Sequence, residues 1–144
     1  METGINAYIK EQFAIKEVDI RMYSPLALAY IGDSVFDLVI RSVVVGRGNT
    51  RTNELHRRTS RIVKAHTQAR LVESLKPELT KEEEDVYRRG RNAHSPTMAK
   101  NASMSDYRKA TGFEALLGYL YLTDQFERIL FLTREGLLRI KERI

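Results

Sequence analysis

The sequence predicts an all-α fold, a single helical domain over residues 1–144, and three observations carry that prediction. Apolar residues recur at helical spacing, or in runs too long for a single strand. Helix-start signals open several of these segments: a capping hydroxyl before a proline, or a threonine with glutamate three residues on. No internal repeat, low-complexity tract or linker divides the chain, and 144 residues suffice for one core without covalent staples.

Taken in order, a short apolar-periodic segment covers residues 5–13. Ser24-Pro25 supplies a capping hydroxyl followed by proline at the first helical position. Residues 26–45 then form one long helix, ended by Gly46 and Gly48. This helix is apolar on nearly every side, through Leu26, Ala29, Tyr30, Val35, Phe36, Leu38, Val39, Ile40, Val43 and Val44. Such a helix must be covered all round, and in so small a domain a second copy of the chain is the expected cover for one side. Thr52 is placed to cap a basic helix reaching about residue 61, and another runs from 65 to 75 before Pro77. Thr80-Lys81-Glu82-Glu83 has the capping-box form and opens a helix to about residue 89. Residues 90–105, with Gly, Asn, Ser, Pro and scattered cations, read as a long loop, mobile in the free protein. Residues 106–122 form a helix carrying Phe113, Leu116, Leu117, Leu120 and Tyr121, and Asp124-Gln125-Phe126-Glu127 opens a final amphipathic one.

Composition excludes several classes. The 42 % apolar and 30 % charged residues suit a soluble globular protein, and the absence of cysteine removes disulfides and thiolate metal sites. No stretch approaches the roughly 20 apolar residues of a membrane span. Residues 1–10 lack the apolar core of a secretion signal, so a cytoplasmic address is expected. The net charge of +5 is unevenly spread: residues 47–72 carry seven Lys/Arg against Glu54, and residues 86–110 carry six against Asp106. Those two segments hold +11 of a total of +5, which leaves −6 for the remainder. A cationic surface beside an acidic body is the electrostatic footprint of a nucleic-acid binder, although a solvated basic face has the same composition.

Two carboxylates stand out. Asp33 lies inside the most apolar helix directly after Gly32, where a charge is costly without compensation and glycine costs about 1 kcal/mol of helix stability. Glu114 lies between Gly112-Phe113 and Ala115-Leu116-Leu117-Gly118, with Gly118 one turn along the same face. Two acids on separate apolar helices can converge on a hard cation, and oxygen ligands with retained waters suit Mg2+. The competing readings are a solvated side chain for Asp33 and, for Glu114, a structural ion pair with one of the many arginines.

The residues around them are more specific. Leu28-Ala29-Tyr30-Ile31-Gly32-Asp33-Ser34-Val35-Phe36-Asp37 resembles the signature helix of ribonuclease III catalytic domains, E-x-L-E-F-L-G-D-A-V-L-E. Phe113-Glu114-Ala115-Leu116-Leu117-Gly118-Tyr119-Leu120-Tyr121-Leu122 resembles that family's second acidic motif, D-x-x-E-A-L-I-G-A-x-x-L. Between them, Leu55 through Val63 resembles its L-T-x-x-R-S-x-L-V stretch, with Thr59 where that motif has arginine. Leu55-His56-Arg57-Arg58-Thr59-Ser60-Arg61-Ile62-Val63, Arg88-Arg89-Gly90-Arg91-Asn92-Ala93 and Tyr107-Arg108-Lys109-Ala110-Thr111 look like the Mini-ribonuclease III branch, a catalytic domain without the double-stranded-RNA-binding domain.

The resemblance implies the ribonuclease III endonuclease-domain fold in a two-fold homodimer, with Tyr30 near the partner. It implies metal-dependent hydrolysis of double-stranded RNA by water, leaving 5′ phosphates and 3′ hydroxyls, with maturation of large-subunit ribosomal RNA precursors as the task. Asp33 and Glu114 are then the catalytic, metal-holding residues, for Mg2+ with Mn2+ as an alternative ion. Two carboxylates of the family pattern are missing, with Ala29 and Thr111 in their places, so the site is leaner and more reliant on RNA phosphates for coordination. The phosphate-contact candidates are Arg57, Arg58, Arg61, Lys64, Arg88, Arg89, Arg91, Lys100 and Arg108. A-form RNA hides its major-groove edges, so recognition is expected to rest on backbone and shape. Asp37 stands four residues before Arg41, as a local ion pair would require. His56, His66 and His94 lack metal-ligand spacing. The rival readings are a non-catalytic double-stranded-RNA-binding dimer of the same fold and a helical DNA-binding regulator.

Overall fold

In the computed structural model, residues 4–93 and 103–144 are described, and among them all regular structure is helical. Seven α-helices follow in order: α1 (Ile5–Gln12), α2 (Pro25–Gly46), α3 (Thr52–Val63), α4 (Ala65–Leu75), α5 (Lys81–Asn92), α6 (Met104–Leu122) and α7 (Phe126–Arg139). Short 3-10 turns occur at Ile20–Met22 and Lys76–Glu78.

The long helix α2 begins as its sequence dictates. Ser24 Oγ accepts from the Ala27 amide at 3.1 Å, and Pro25 takes the first helical position. Leu28, Ala29, Gly32, Val35, Phe36, Val39, Ile40 and Val44 make its buried stripe. Tyr30, Leu38 and Val45 remain exposed, Tyr30 at 82 %, so the all-round apolar character is covered on one side only within this chain.

Helix α6 packs against α2, α4 and α5. The core joins Phe36 and Ile40 of α2 to Phe113, Leu116, Leu117 and Leu120 of α6, with Leu71 and Leu75 of α4 and Ile129 and Leu132 of α7. Phe36 and Phe113 meet edge to face, with centroids 5.4 Å apart. The α2–α6 crossing is unusually close. A Cβ on Gly32 would lie 1.7 Å from the Glu114 carbonyl oxygen, and one on Gly118 would lie 1.9 Å from that of Leu28. Each helix therefore contributes one glycine where the other helix's backbone passes.

Several element boundaries differ from the sequence expectation. Gly90 is not the start of a loop but lies inside α5, where its missing side chain admits Ala115; a Cβ there would stand 2.7 Å from that of Ala115. Helix α6 starts at Met104 rather than at residue 106, because Ser103 Oγ accepts from the Asp106 amide at 3.0 Å. Thr52 is the first residue of α3 rather than its cap; Arg51 takes the cap position without a side-chain bond. Residues 94–102 of the expected loop, with Lys100 and His94, lie outside the described residues.

The Thr80–Glu83 capping box forms as expected, with Thr80 Oγ1 accepting from the Glu83 amide at 3.2 Å and Glu83 Oε1 from the Thr80 amide at 2.9 Å. Glu83 is buried and also receives Arg128 of α7 at 2.8 and 2.9 Å, tying the start of α5 to the start of α7.

Candidate active site

Asp33 and Glu114 come from the two helices that cross most closely. Gly32 sits against the Glu114 carbonyl, and Asp33, the next residue, reaches the Glu114 side chain. The two carboxyl groups are in hydrogen-bonding contact. Asp33 is exposed and Glu114 half-buried, so the expected cost of a carboxylate in an apolar helix falls on Glu114 instead of Asp33. Burial first, and then the charge and hydrogen bond of Asp33, push the Glu114 carboxyl from the ordinary 4.5 up to about 8; a hydrogen bond from Gln68 opposes them.

Gln68 of α4 closes a third side. It is buried at 2 % exposure, and its Nε2 donates to the Val63 carbonyl at 2.7 Å and to Glu114 Oε2 at 3.3 Å. Its Oε1 is buried without a hydrogen-bond partner among the described residues. Nothing in the residue pattern singles out Gln68, since a lone amide in a helix carries no ligand spacing.

The two positions that depart from the family pattern supply nothing acidic. Ala29 and Thr111 are both buried, and Thr111 Oγ1 donates back to the Tyr107 carbonyl of its own helix at 3.0 Å. Among the described residues no group of three or more His, Cys, Asp or Glu is placed to hold a metal. The donor set that is present still fits a hard divalent cation. Two carboxylates face each other with one pushed towards its neutral form, and all the available donors are oxygens, the type that suits an ion retaining several waters.

Around this centre, Asp37 pairs with Arg41 at 2.7 Å, the local ion pair that their spacing suggested. His66 Nδ1 lies 3.0 Å from Asp106 Oδ2 and joins the first turns of α4 and α6. The candidate RNA-contacting cations fall into groups. Arg57 and Arg58 are both held by Glu54, and Arg61 reaches the Glu142 carboxylate and the Arg143 carbonyl near the C-terminus. Lys64 is exposed in the joint between α3 and α4, next to the Val63 carbonyl that Gln68 engages. Arg91 and Arg108 line one hollow of about 330 Å3 where α5 ends and α6 begins. Arg88 pairs with Asp85, and Arg89 is exposed.

Comparison with known proteins agrees with this geometry. The family model for the Ribonuclease III domain matches residues 26–125, from the start of α2 past the end of α6. Mini-ribonuclease 3 of Enterococcus faecalis is 49 % identical over 113 residues, 77 % of this chain and 86 % of that protein. Mini-ribonuclease 3 of Thermoanaerobacter sp. is 43 % identical over 129 residues, 90 % of this chain and 91 % of its own. That of Clostridium tetani is 43 % identical over 123 residues, covering 85 % and 80 %. A crystal structure of a Fusobacterium nucleatum protein superposes with a TM-score of 0.76 at 28 % identity, over 82 % of this chain and 96 % of that one. The match spans both helices that carry the paired carboxylates, and the chain belongs to the ribonuclease III family, alongside the Mini-ribonuclease 3 proteins.

Proposed function

We propose that this protein is a divalent-metal-dependent endoribonuclease that hydrolyses both strands of duplex RNA as a two-fold dimer. The observation that carries the reading is the contact between the Asp33 and Glu114 carboxyl groups at the α2–α6 crossing, inside the matched ribonuclease III region. Two carboxyl groups that repel each other once both are ionised, at a water-accessible edge, are a poor structural device and a good cation seat.

In this scheme Asp33 and Glu114 would hold Mg2+, or Mn2+ in its place. When bound, the ion supplies an activated water and stabilises charge on the phosphate being cleaved. Asp33 is exposed and would hold the ion from the solvent side, while half-buried Glu114 would hold it from α6. Water attack on phosphorus with cleavage of the P–O3′ bond would leave a 5′ phosphate and a 3′ hydroxyl, the products that the motif resemblance implies. Since the positions of Ala29 and Thr111 add no carboxylate, RNA phosphate oxygens would supply further ligands.

The charge distribution supports duplex RNA as the substrate, with Arg57, Arg58, Arg61, Lys64, Arg88, Arg89, Arg91 and Arg108 as contact candidates and Lys100 outside the described residues. Exposed Tyr30 on α2 supports the dimer, which sets one acidic centre against each strand. The remaining expectations rest on the motif resemblance alone: precursor ribosomal RNA as the natural duplex and the cytoplasm as the place of action.

The test is cleavage of a structured RNA duplex with Mg2+, with EDTA as control. Wild-type protein is expected to cut and Asp33→Asn to bind the duplex without cutting. Binding without cleavage by the wild type would establish instead the non-catalytic RNA-binding dimer, the reading that Ala29 and Thr111 favour.

A further inference from the structure

We infer that Gln68 is a third member of the cation site, a positioning residue whose Nε2 tethers Glu114 and whose Oε1 accepts a hydrogen bond from a water on the bound ion. This rests on the reading of Asp33 and Glu114 as a cation site and names the residue that makes a two-carboxylate version workable.

The amide orientation is fixed by its surroundings. The Val63 carbonyl only accepts, so the atom 2.7 Å from it must be the donating Nε2. The same Nε2 lies 3.3 Å from Glu114 Oε2. Oε1, on the same amide carbon, is therefore held within one amide group of the Glu114 carboxyl and cannot rotate away without losing the Val63 bond. It is buried and has no donor among the described residues, a state that costs about 1–3 kcal/mol when left uncompensated.

An Mg2+ or Mn2+ ion held by only two carboxylates keeps most of its waters. Those waters would be strong donors, and Oε1 is an unpaired acceptor on the amide that bonds Glu114. Such outer partners orient ligands and account for a large part of metal affinity. With no acidic residue at positions 29 and 111, this amide offers Glu114 a direct bond and carries a buried oxygen without a partner among the described residues. A purely structural role would end with the bond to Val63, which satisfies a carbonyl at the close of α3.

The experiment is calorimetric titration of Mn2+ into the metal-free full-length protein, without RNA, for wild type, Asp33→Asn and Gln68→Leu. Expected are one saturable site in the wild type, its loss in Asp33→Asn, and at least about tenfold weaker binding in Gln68→Leu. Loss in Asp33→Asn together with wild-type affinity in Gln68→Leu overturns the role of Gln68 alone. Unchanged binding in Asp33→Asn overturns the cation site and this inference with it. Should Gln68→Leu fail to fold, a crystal structure of the wild type with Mn2+ decides the matter. Oε1 in hydrogen-bonding contact with a water on the ion is the expected result; Oε1 facing away from the ion's waters overturns it.

Discussion

The missing side chain of Gly32 is the space that the Glu114 carbonyl oxygen occupies: a Cβ on that glycine would stand 1.7 Å from it. The residue just before one candidate carboxylate thus presses against the backbone of the residue that carries the other. Helix packing and the juxtaposition of Asp33 with Glu114 are one arrangement, and both depend on glycine at this crossing.

Gly32→Ala and Gly118→Ala are expected to destabilise the fold by at least about 3 kcal/mol each, since backbone rather than a flexible side chain must give way. Gly46→Ala is the control. Nothing lies within 4 Å of its would-be Cβ at the end of α2, so it should be neutral or stabilise by about 0.5–1 kcal/mol. Urea denaturation of the three variants measures the contrast.

Glu114 gives the metal-free protein a distinctive pH dependence. Its carboxyl is raised in the fold from 4.5 to about 8, by burial and then by Asp33. The folded state therefore holds this proton more tightly than the unfolded one. The associated stability is fully present below the unfolded value and is lost as pH rises through the folded value. Between about pH 5 and 8, Glu114→Gln should flatten this decline, and Asp33→Asn should shift it to lower pH. Denaturation curves in EDTA across that window test both.

Proton release is the counterpart of metal binding. A carboxyl that is largely protonated at pH 7 must lose its proton to become a ligand, so Mn2+ uptake should release close to one proton per site near neutrality. Titrations in buffers of different ionisation enthalpy would read it. Apparent affinity should rise with pH up to about 8 and level off above it.

Away from the site, the buried Glu83–Arg128 pair carries stability of the opposite pH sense. Burial alone would raise the Glu83 carboxyl, but Arg128 and the Thr80 amide together hold it below the usual range. Its contribution is present above the unfolded carboxylate value and is lost as the pH falls through the folded one. Removing one partner, as in Arg128→Met, should cost about 2–3 kcal/mol at pH 7, the partial exposure of Arg128 tempering the full penalty.

The basic residues should separate into two kinds. Lys64→Ala and Arg108→Ala, at exposed positions, are expected to lower the salt dependence of duplex binding by about one unit of slope for each phosphate the variant no longer engages. Arg61→Ala should instead act mainly on stability, because its guanidinium already engages Glu142 and the Arg143 carbonyl. Binding isotherms at several salt concentrations, with melting curves beside them, distinguish these effects.

The parts legible in the sequence are those with local causes. Ser24-Pro25 and Thr80–Glu83 specify their helix starts through bonds within four residues, and both form as expected. Asp33 and Glu114 are recognisable because each interrupts an apolar helix close to a glycine. Gly90 misleads because glycine has two uses, and only the proximity of Ala115 shows that here it serves close packing rather than a turn. Gln68 is invisible for a similar reason: its meaning comes from Val63 and from Glu114, 46 residues away.

A last consequence concerns Lys64, the single extended residue that closes α3 and opens α4. So short a joint acts as a gauge: it fixes the separation and rotational phase between the cationic helix and the acidic centre reached through Gln68. One inserted residue would turn α4 by about 100° relative to α3. Under the proposed function, such an insertion would uncouple the grip on the nucleic acid from the position of the cut, even with both helices intact.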